Sequence, residues 1–394
     1  MPDLPDSQAA SPVTQATRRG LLKTLAILGP VALGGGGAAL ATPAPAPKPG
    51  ALRVALLLPE RSGCPHFAQA FEQGFRQGCA AQNVILELFS TGPTPRQAQA
   101  AASRALEKAP QVLVTLGDGL SEHLTPVLAQ RDVLHLSAEV GVLMARPQRR
   151  HPLTLTTSLH AWEAEWALGA SLARSGQHEV HLLFSVLDSG YDLPYAFTAG
   201  LQSAGGRVTG TTLLNAADTP AEARRIVSAL RDQGVRSVHV VASEGAPALL
   251  TACRRAGLQV SASGLSLRDG AFQGVAGALG SPSQLSVTAA RPLQNSSLFA
   301  LGFDTGAWLS RALESGVPHL PLALLAAMAT QKFTGARGPV APDAQGHLIA
   351  GLFQTGLRQG AAQLPLQRPA ITHPGVVAQT QAARSGWSAT FLHG

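Results

Sequence analysis

Residues 52–59 read LRVALLLP, an unbroken apolar run of strand length, and the reading of this stretch decides the fold. A strand with one wet face alternates apolar and polar positions. A strand covered on both faces does not, so this run belongs inside a parallel sheet. The loop ERSGCP follows, then a helix expected over about 66–82, in which Phe67, Phe71, Phe75 and Cys79 recur every four residues. That spacing makes one apolar stripe along the helix, the signature of a face packed into a core rather than of a ligand box.

The strand–helix unit then repeats. Strand-like segments at 84–89, 112–116 and 133–137 alternate with helical ones at 94–108 and 120–130, and a second series begins after RPQRRHP. Its helices are expected over 161–174, 193–204, 220–233 and 246–257, and its strands over 180–185, 207–214 and 237–242. Strands and helices alternating through short connections specify an α/β fold with parallel sheets, and two such series specify two doubly wound, Rossmann-like lobes. The tail departs from the pattern. Helices near 297–315 and 321–333 precede GARGPVAPDAQGHLIAGLFQTGL, which reads as strand, turn and strand and is expected to help complete both lobes. We therefore expect lobe 1 over 52–157 plus about 286–340, and lobe 2 over 158–285 plus about 341–394.

Upstream of the first strand the composition is different. Residues 17–23 read TRRGLLK and lead into an apolar stretch that carries Pro30 and four successive glycines, Gly34 to Gly37. Those residues make a poor helix interior. The stretch ends in Ala39-Leu40-Ala41, the small-residue pattern that a signal peptidase accepts, and a stiff Pro/Ala linker occupies 42–51. The paired Arg18 and Arg19 before a moderately apolar core resemble a twin-arginine export signal, cleaved after about Ala41. A retained membrane anchor is the competing reading. Removing 1–41 takes Arg18, Arg19, Lys23, Asp3 and Asp6 out of a formal net charge of +7. The remaining charges are scattered, so they read as a solvated surface and not as a nucleic-acid footprint.

With 45% hydrophobic and 13% charged residues, the chain is apolar enough to fold and too balanced for disorder. Cys64, Cys79 and Cys253 are an odd set for an oxidising compartment, and they read as small buried hydrophobes. The residue immediately after the cleavage site is Thr42 and not a cysteine, so no lipid attachment is expected.

A search for catalytic constellations returns little. G-x-S-x-G, H-E-x-x-H, C-x-x-C and the glycine-rich phosphate loops are all absent. His178 and His181 form H-x-x-H across a loop and a strand start, where the two rings do not converge as they would on a helix. No cofactor or metal is expected, and no catalytic residue is assigned. The loops at the carboxyl ends of the strands remain, which is where doubly wound folds bind ligands. They are PERSGCPHF, GDGLSEH and SAEVG in the first lobe, and SVLDSGYD, ASEGAP and SLRDGAF in the second. Small hydroxyl and acidic residues there leave space and exchange hydrogen bonds, and several of the loops open directly onto helix N-termini.

Taken in order, RVALLLPERSG, DSGYDLPYAFTAGLQSAGGRV and FTGARGPVAPDAQGHL resemble the type I periplasmic solute-binding proteins, specifically the branched-chain amino-acid-binding family of ABC importers. The resemblance covers nearly all of 52–360. It implies two lobes joined by a three-segment hinge, with ligand held in the cleft between them. By position it implies first-lobe ligand contacts at Ser62 and Ser121 and a carboxylate-binding loop at Ser137, Ala138 and Glu139. It implies an aromatic contact at Tyr191 and, less securely aligned, an acid at Asp269; Glu244 lies in a further loop of the second lobe. Where amino-acid binders carry small hydroxyl residues, this chain has Gly117-Asp118-Gly119-Leu120, which makes Asp118 and Gly119 candidates as well. An acid at Glu139 would repel a carboxylate, which counts against a plain α-amino-acid ligand. The serines also suit helix N-caps, Asp118 and Glu139 also suit a solvated rim, and Trp162 and Trp166 suit either the cleft or the core.

The expected role is non-enzymatic capture of a small polar solute in the periplasm, an amino acid or a related organic anion or amide. The partners are a membrane permease of an ABC importer and, during export, the twin-arginine translocase, with no nucleic acid. The alternatives are a ligand sensor of the same fold feeding a regulator, and a secreted α/β enzyme.

Overall fold

The computed structural model describes residues 50–60, 65–144, 150–214, 218–242, 246–263, 276–279, 296–355, 363–370 and 372–381. The first series runs β1 (Leu52–Pro59), α1 (Pro65–Gly78), β2 (Val84–Thr91), α2 (Pro95–Leu106), β3 (Val112–Leu116), α3 (Leu120–Leu128), β4 (Leu134–Glu139) and β5 (Thr154–Ser158). The second runs α4 (Ala161–Arg174), β6 (Glu179–Ser185), the short α5 (Val186–Ser189), α6 (Leu193–Ser203), β7 (Arg207–Leu214) and α7 (Pro220–Asp232). It continues through β8 (Ser237–Val241), α8 (Pro247–Arg255), β9 (Gln259–Ser263) and β10 (Ala276–Leu279). The tail supplies α9 (Ser297–Glu314), α10 (Pro321–Met328), β11 (Phe333–Gly335), β12 (Gly338–Pro342), β13 (His347–Ala350), β14 (Phe353–Thr355), β15 (Gln363–Pro365) and α11 (Pro374–Gln381).

Two sheets result. The first has the order β11-β12-β13-β5-β4-β3-β1-β2 and the second β15-β14-β10-β9-β8-β6-β7. In each, the five strands of the local series are parallel, and every antiparallel pair includes a tail strand. β1 lies between β2 and β3 and is buried along nearly its whole length, as its apolar run requires. The tail stays in the first sheet through Ala350, about ten residues beyond the expected return at 340, because β12 and β13 form a hairpin on Asp343. The Asp343 carboxylate accepts from the backbone of Gln345 and His347, both at 2.8 Å, which closes the turn. The chain crosses between sheets at Ser158–Ala161 and at Ala350–Phe353.

Local chemistry explains the helices. Thr94 caps α2 through Gln97 in a reciprocal capping box, and Pro95 opens the first turn. The inner face of α2 is Ala98, Ala101, Ala102 and Ala105, all fully buried, so the helix lies close on β1 and β2. The stripe Phe67, Phe71, Phe75 and Cys79 is buried as its period predicts. Cys79 and Cys253 are free and buried, with burial pushing their thiols up to about 12 and about 11; Cys64 lies outside the described residues. Trp162 and Trp166 are both buried, and the Trp166 ring meets that of His373 edge-on at 4.8 Å. Trp166 thus packs inside the second lobe.

Candidate functional site

Each five-strand set has the order second, first, third, fourth, fifth, so the chain reverses direction beside β1 in one sheet and beside β6 in the other. At such switch points the neighbouring loops part and leave a crevice at the carboxyl ends of the strands. The described loops there are those following β3 and β6, with that following β4 adjacent.

In the first sheet β3 and β4 run parallel, with Leu116 opposite Ala138. Gly117 donates its N–H to the Ala138 carbonyl at 2.9 Å, and Gly119 takes φ of +78° at the start of α3. Between these two glycines the Asp118 side chain turns inward and is 3% exposed. Its carboxylate accepts three successive backbone N–H groups: Val140 at 3.0 Å, Gly141 at 2.7 Å and Val142 at 3.2 Å. Asp118, a candidate ligand contact in the sequence, is therefore a brace between two loops. One turn on, the Ser121 hydroxyl is fully buried and makes no hydrogen bond within the protein. Ser137 donates to Glu139 at 3.1 Å, and Glu139 is half-buried.

Burial and the neighbouring Glu139 charge push the Asp118 carboxyl up to about 7, while the three backbone donors pull the other way. The folded value lies above the ordinary 3.8, so the contribution of this group to stability is full below pH 4 and declines as pH rises through about 7. Glu139→Gln removes the second cause, and the Asp118 titration is then expected to move below about 7. A carboxyl-¹³C titration checks this; an unmoved midpoint would count against the Glu139 coupling.

The segment after β4 also reaches the second lobe. Ala161 and Trp162, at the start of α4, donate to the carbonyls of Val140 and Gly141 at 3.2 and 2.8 Å. Asp192 donates its N–H to the Val142 carbonyl at 3.0 Å, and its carboxylate accepts the Met144 N–H at 2.6 Å. Gln379 of α11 donates to the other Asp192 oxygen at 2.7 Å. Residues 140–144 are thus a strap, its first amides held by Asp118 and its carbonyls by the second lobe. Tyr191 is buried immediately before Asp192, so the structure brings it to the same junction. Sequence reasoning missed the strap and Asp192, because backbone donors carry no residue signature; the Gly-Asp-Gly spelling was the available signal.

Behind this junction lies the crossover. Arg368 reaches the Ala350 carbonyl and pairs with Glu163, and Arg337 pairs with Asp304 at 2.6 Å and reaches the Ser158 carbonyl. Ser62, Glu244 and Asp269 lie outside the described residues. Among the described residues no group of three His, Cys, Asp or Glu side chains is placed to hold a metal ion, and His181 bonds Thr212 at 2.9 Å instead.

The family model described as periplasmic binding protein matches residues 52–361. Among solved structures, a solute-binding protein of an ABC transporter from R. palustris, in complex with benzoate, superposes with a TM-score of 0.64 at 17% identity, covering 83% of this chain and 99% of that one. A leucine-binding protein from Thermotoga maritima gives 0.60 at 16% identity, covering 81% and 99%. A branched-chain amino-acid transporter substrate-binding protein from Streptococcus pneumoniae, in complex with isoleucine, gives 0.60 at 12%, covering 81% and 100%. No curated protein sequence matches.

Proposed function

Because the chain belongs to the periplasmic binding protein family, whose members bind solutes and are not enzymes, we propose that it captures a small polar solute between its two lobes and delivers it to the permease of an ABC importer. The observation that supports this reading is the strap at 140–144, whose backbone is hydrogen-bonded to Asp118 of the first lobe and to Asp192 of the second. The solutes named for the similar structures, benzoate and isoleucine, set the size class we propose. Gly119, Ser121, Ser137, Ala138 and Glu139 form the first-lobe wall and Tyr191 the second-lobe wall. Asp118 acts from behind. Closure of the lobes would be driven by contacts made only in the closed state.

The test begins with mature protein exported in its native cell. Small molecules that copurify are identified by mass spectrometry and returned to stripped protein during small-angle scattering. The expected result is a smaller radius of gyration at saturation, together with a raised melting temperature. A chain that carries no solute and never compacts overturns the capture reading.

Family membership implies a periplasmic location. For the route, the paired Arg18 and Arg19 support the twin-arginine translocase. Replacing both by lysine is expected to leave the precursor in the cytoplasm; undiminished export would refute that route.

A further inference from the structure

Three consecutive backbone N–H groups converging on one point form an anion-binding nest. Here the nest is made by Val140, Gly141 and Val142, with Gly141 at φ +79°, a conformation that favours glycine. The anion in it belongs to the protein. We propose that Asp118 fills this nest from within the chain, so that the solute is held at this wall as a hydrogen-bond donor, an amide, amine or polyol, and not as a carboxylate. The inference rests on the solute-capture reading above and specifies its chemistry.

Four observations converge. All three nest donors lie within 3.2 Å of Asp118 oxygens, so none is left for a ligand acid. Asp118 is fixed in place because Gly117 is hydrogen-bonded to Ala138 and the helix begins two residues on. Ser137, the nearest hydroxyl on β4, donates to Glu139, which leaves Glu139 as a second acceptor on the same wall. Finally, the two arginines at the crossover are engaged by Asp304, Glu163 and main-chain carbonyls. A wall whose amides are taken up by Asp118 and whose remaining side-chain group is the Glu139 carboxylate presents an acceptor. An amide or amine meets it, whereas an acid meets like charge. Two like charges about 4 Å apart in a partly buried site correspond to a discrimination of roughly a hundredfold or more.

The decisive experiment needs no natural solute. Asp118→Ala opens the nest, and its melting temperature is followed against acetate at constant ionic strength, with chloride as control. Acetate is expected to raise the melting temperature of the variant saturably and to leave the wild type unmoved. Equal responses of variant and wild type overturn the proposal. Should Asp118→Ala not fold, the wild type is titrated with the matched probes benzoate and benzamide, and leucine and leucinamide. The amide resonances of residues 140–142 are then observed. Those amides unmoved by either acid bear the proposal out, and saturable displacement by benzoate or leucine overturns it. Failure of the capture reading shows separately, as a chain that never compacts in scattering while the acetate rescue still appears.

Discussion

Gly302→Leu is expected to cost roughly 4 kcal/mol or more and to leave little folded protein at 37 °C. Helix α9 lies against α1 with glycines facing at the crossing: Gly302 and Gly306 on one helix, Gly74 and Gly78 on the other. A Cβ at Gly302 would stand 2.1 Å from the Phe71 carbonyl oxygen, and one at Gly74 would stand 2.1 Å from that of Phe299. The obstacle on each side is main chain, which cannot rotate away as a side chain does. The helices must separate, and separation opens voids around Phe71, Phe75 and Phe299, each buried to 1% exposure or less. Urea midpoints followed by circular dichroism check this, with Gly50→Leu as control because nothing stands within 4 Å of a Cβ there. A Gly302→Leu unfolding free energy within about 1 kcal/mol of wild type would refute the close-packing argument.

The second large effect concerns a fully buried ion pair. Asp304 on α9 accepts from Arg337 Nε and from the Ala336 N–H, both at 2.6 Å, while Arg337 also reaches the Ser158 carbonyl at the end of β5. Asp304→Ala leaves a guanidinium buried without its counter-charge, which typically costs about 3–5 kcal/mol. Replacing both partners, as in Asp304→Leu with Arg337→Met, removes the charge as well as the bond and is expected to recover at least half of that loss. A double-mutant cycle on urea midpoints gives the coupling. If the double variant is as unstable as the sum of the singles, the pair is not coupled and the account fails.

Much of the fold is legible in the sequence because it is written in apolar periodicity. The run at 52–59 and the stripe Phe67, Phe71, Phe75 and Cys79 behave as their spacing predicts. β5 does not announce itself, because it is a buried strand made largely of threonine. Thr154, Thr156 and Thr157 are each 3% exposed or less, and their hydroxyls bond His135, Arg150 and Thr305. Its hydrophilic spelling hides its burial, since the polar groups are satisfied by partners distant in sequence. The glycines of the α1–α9 crossing were overshadowed by the phenylalanines beside them, although Gly74 and Gly78 sit one turn apart. At the site, the loop positions are readable from the strand order, but side-chain direction is not. Asp118 faces the strap because three main-chain donors await it, and main-chain donors are identical in every residue but proline.

The strap at 140–144 has a mechanical meaning as well. The amides of Val140, Gly141 and Val142 are anchored in one lobe, while their carbonyls and the Met144 amide are held by the other, so each lobe is completed by atoms on a shared stretch of five residues. Unfolding either lobe strips buried hydrogen bonds from the remaining one. The two sheets are therefore expected to melt as one cooperative unit, with a single transition in both urea and heat.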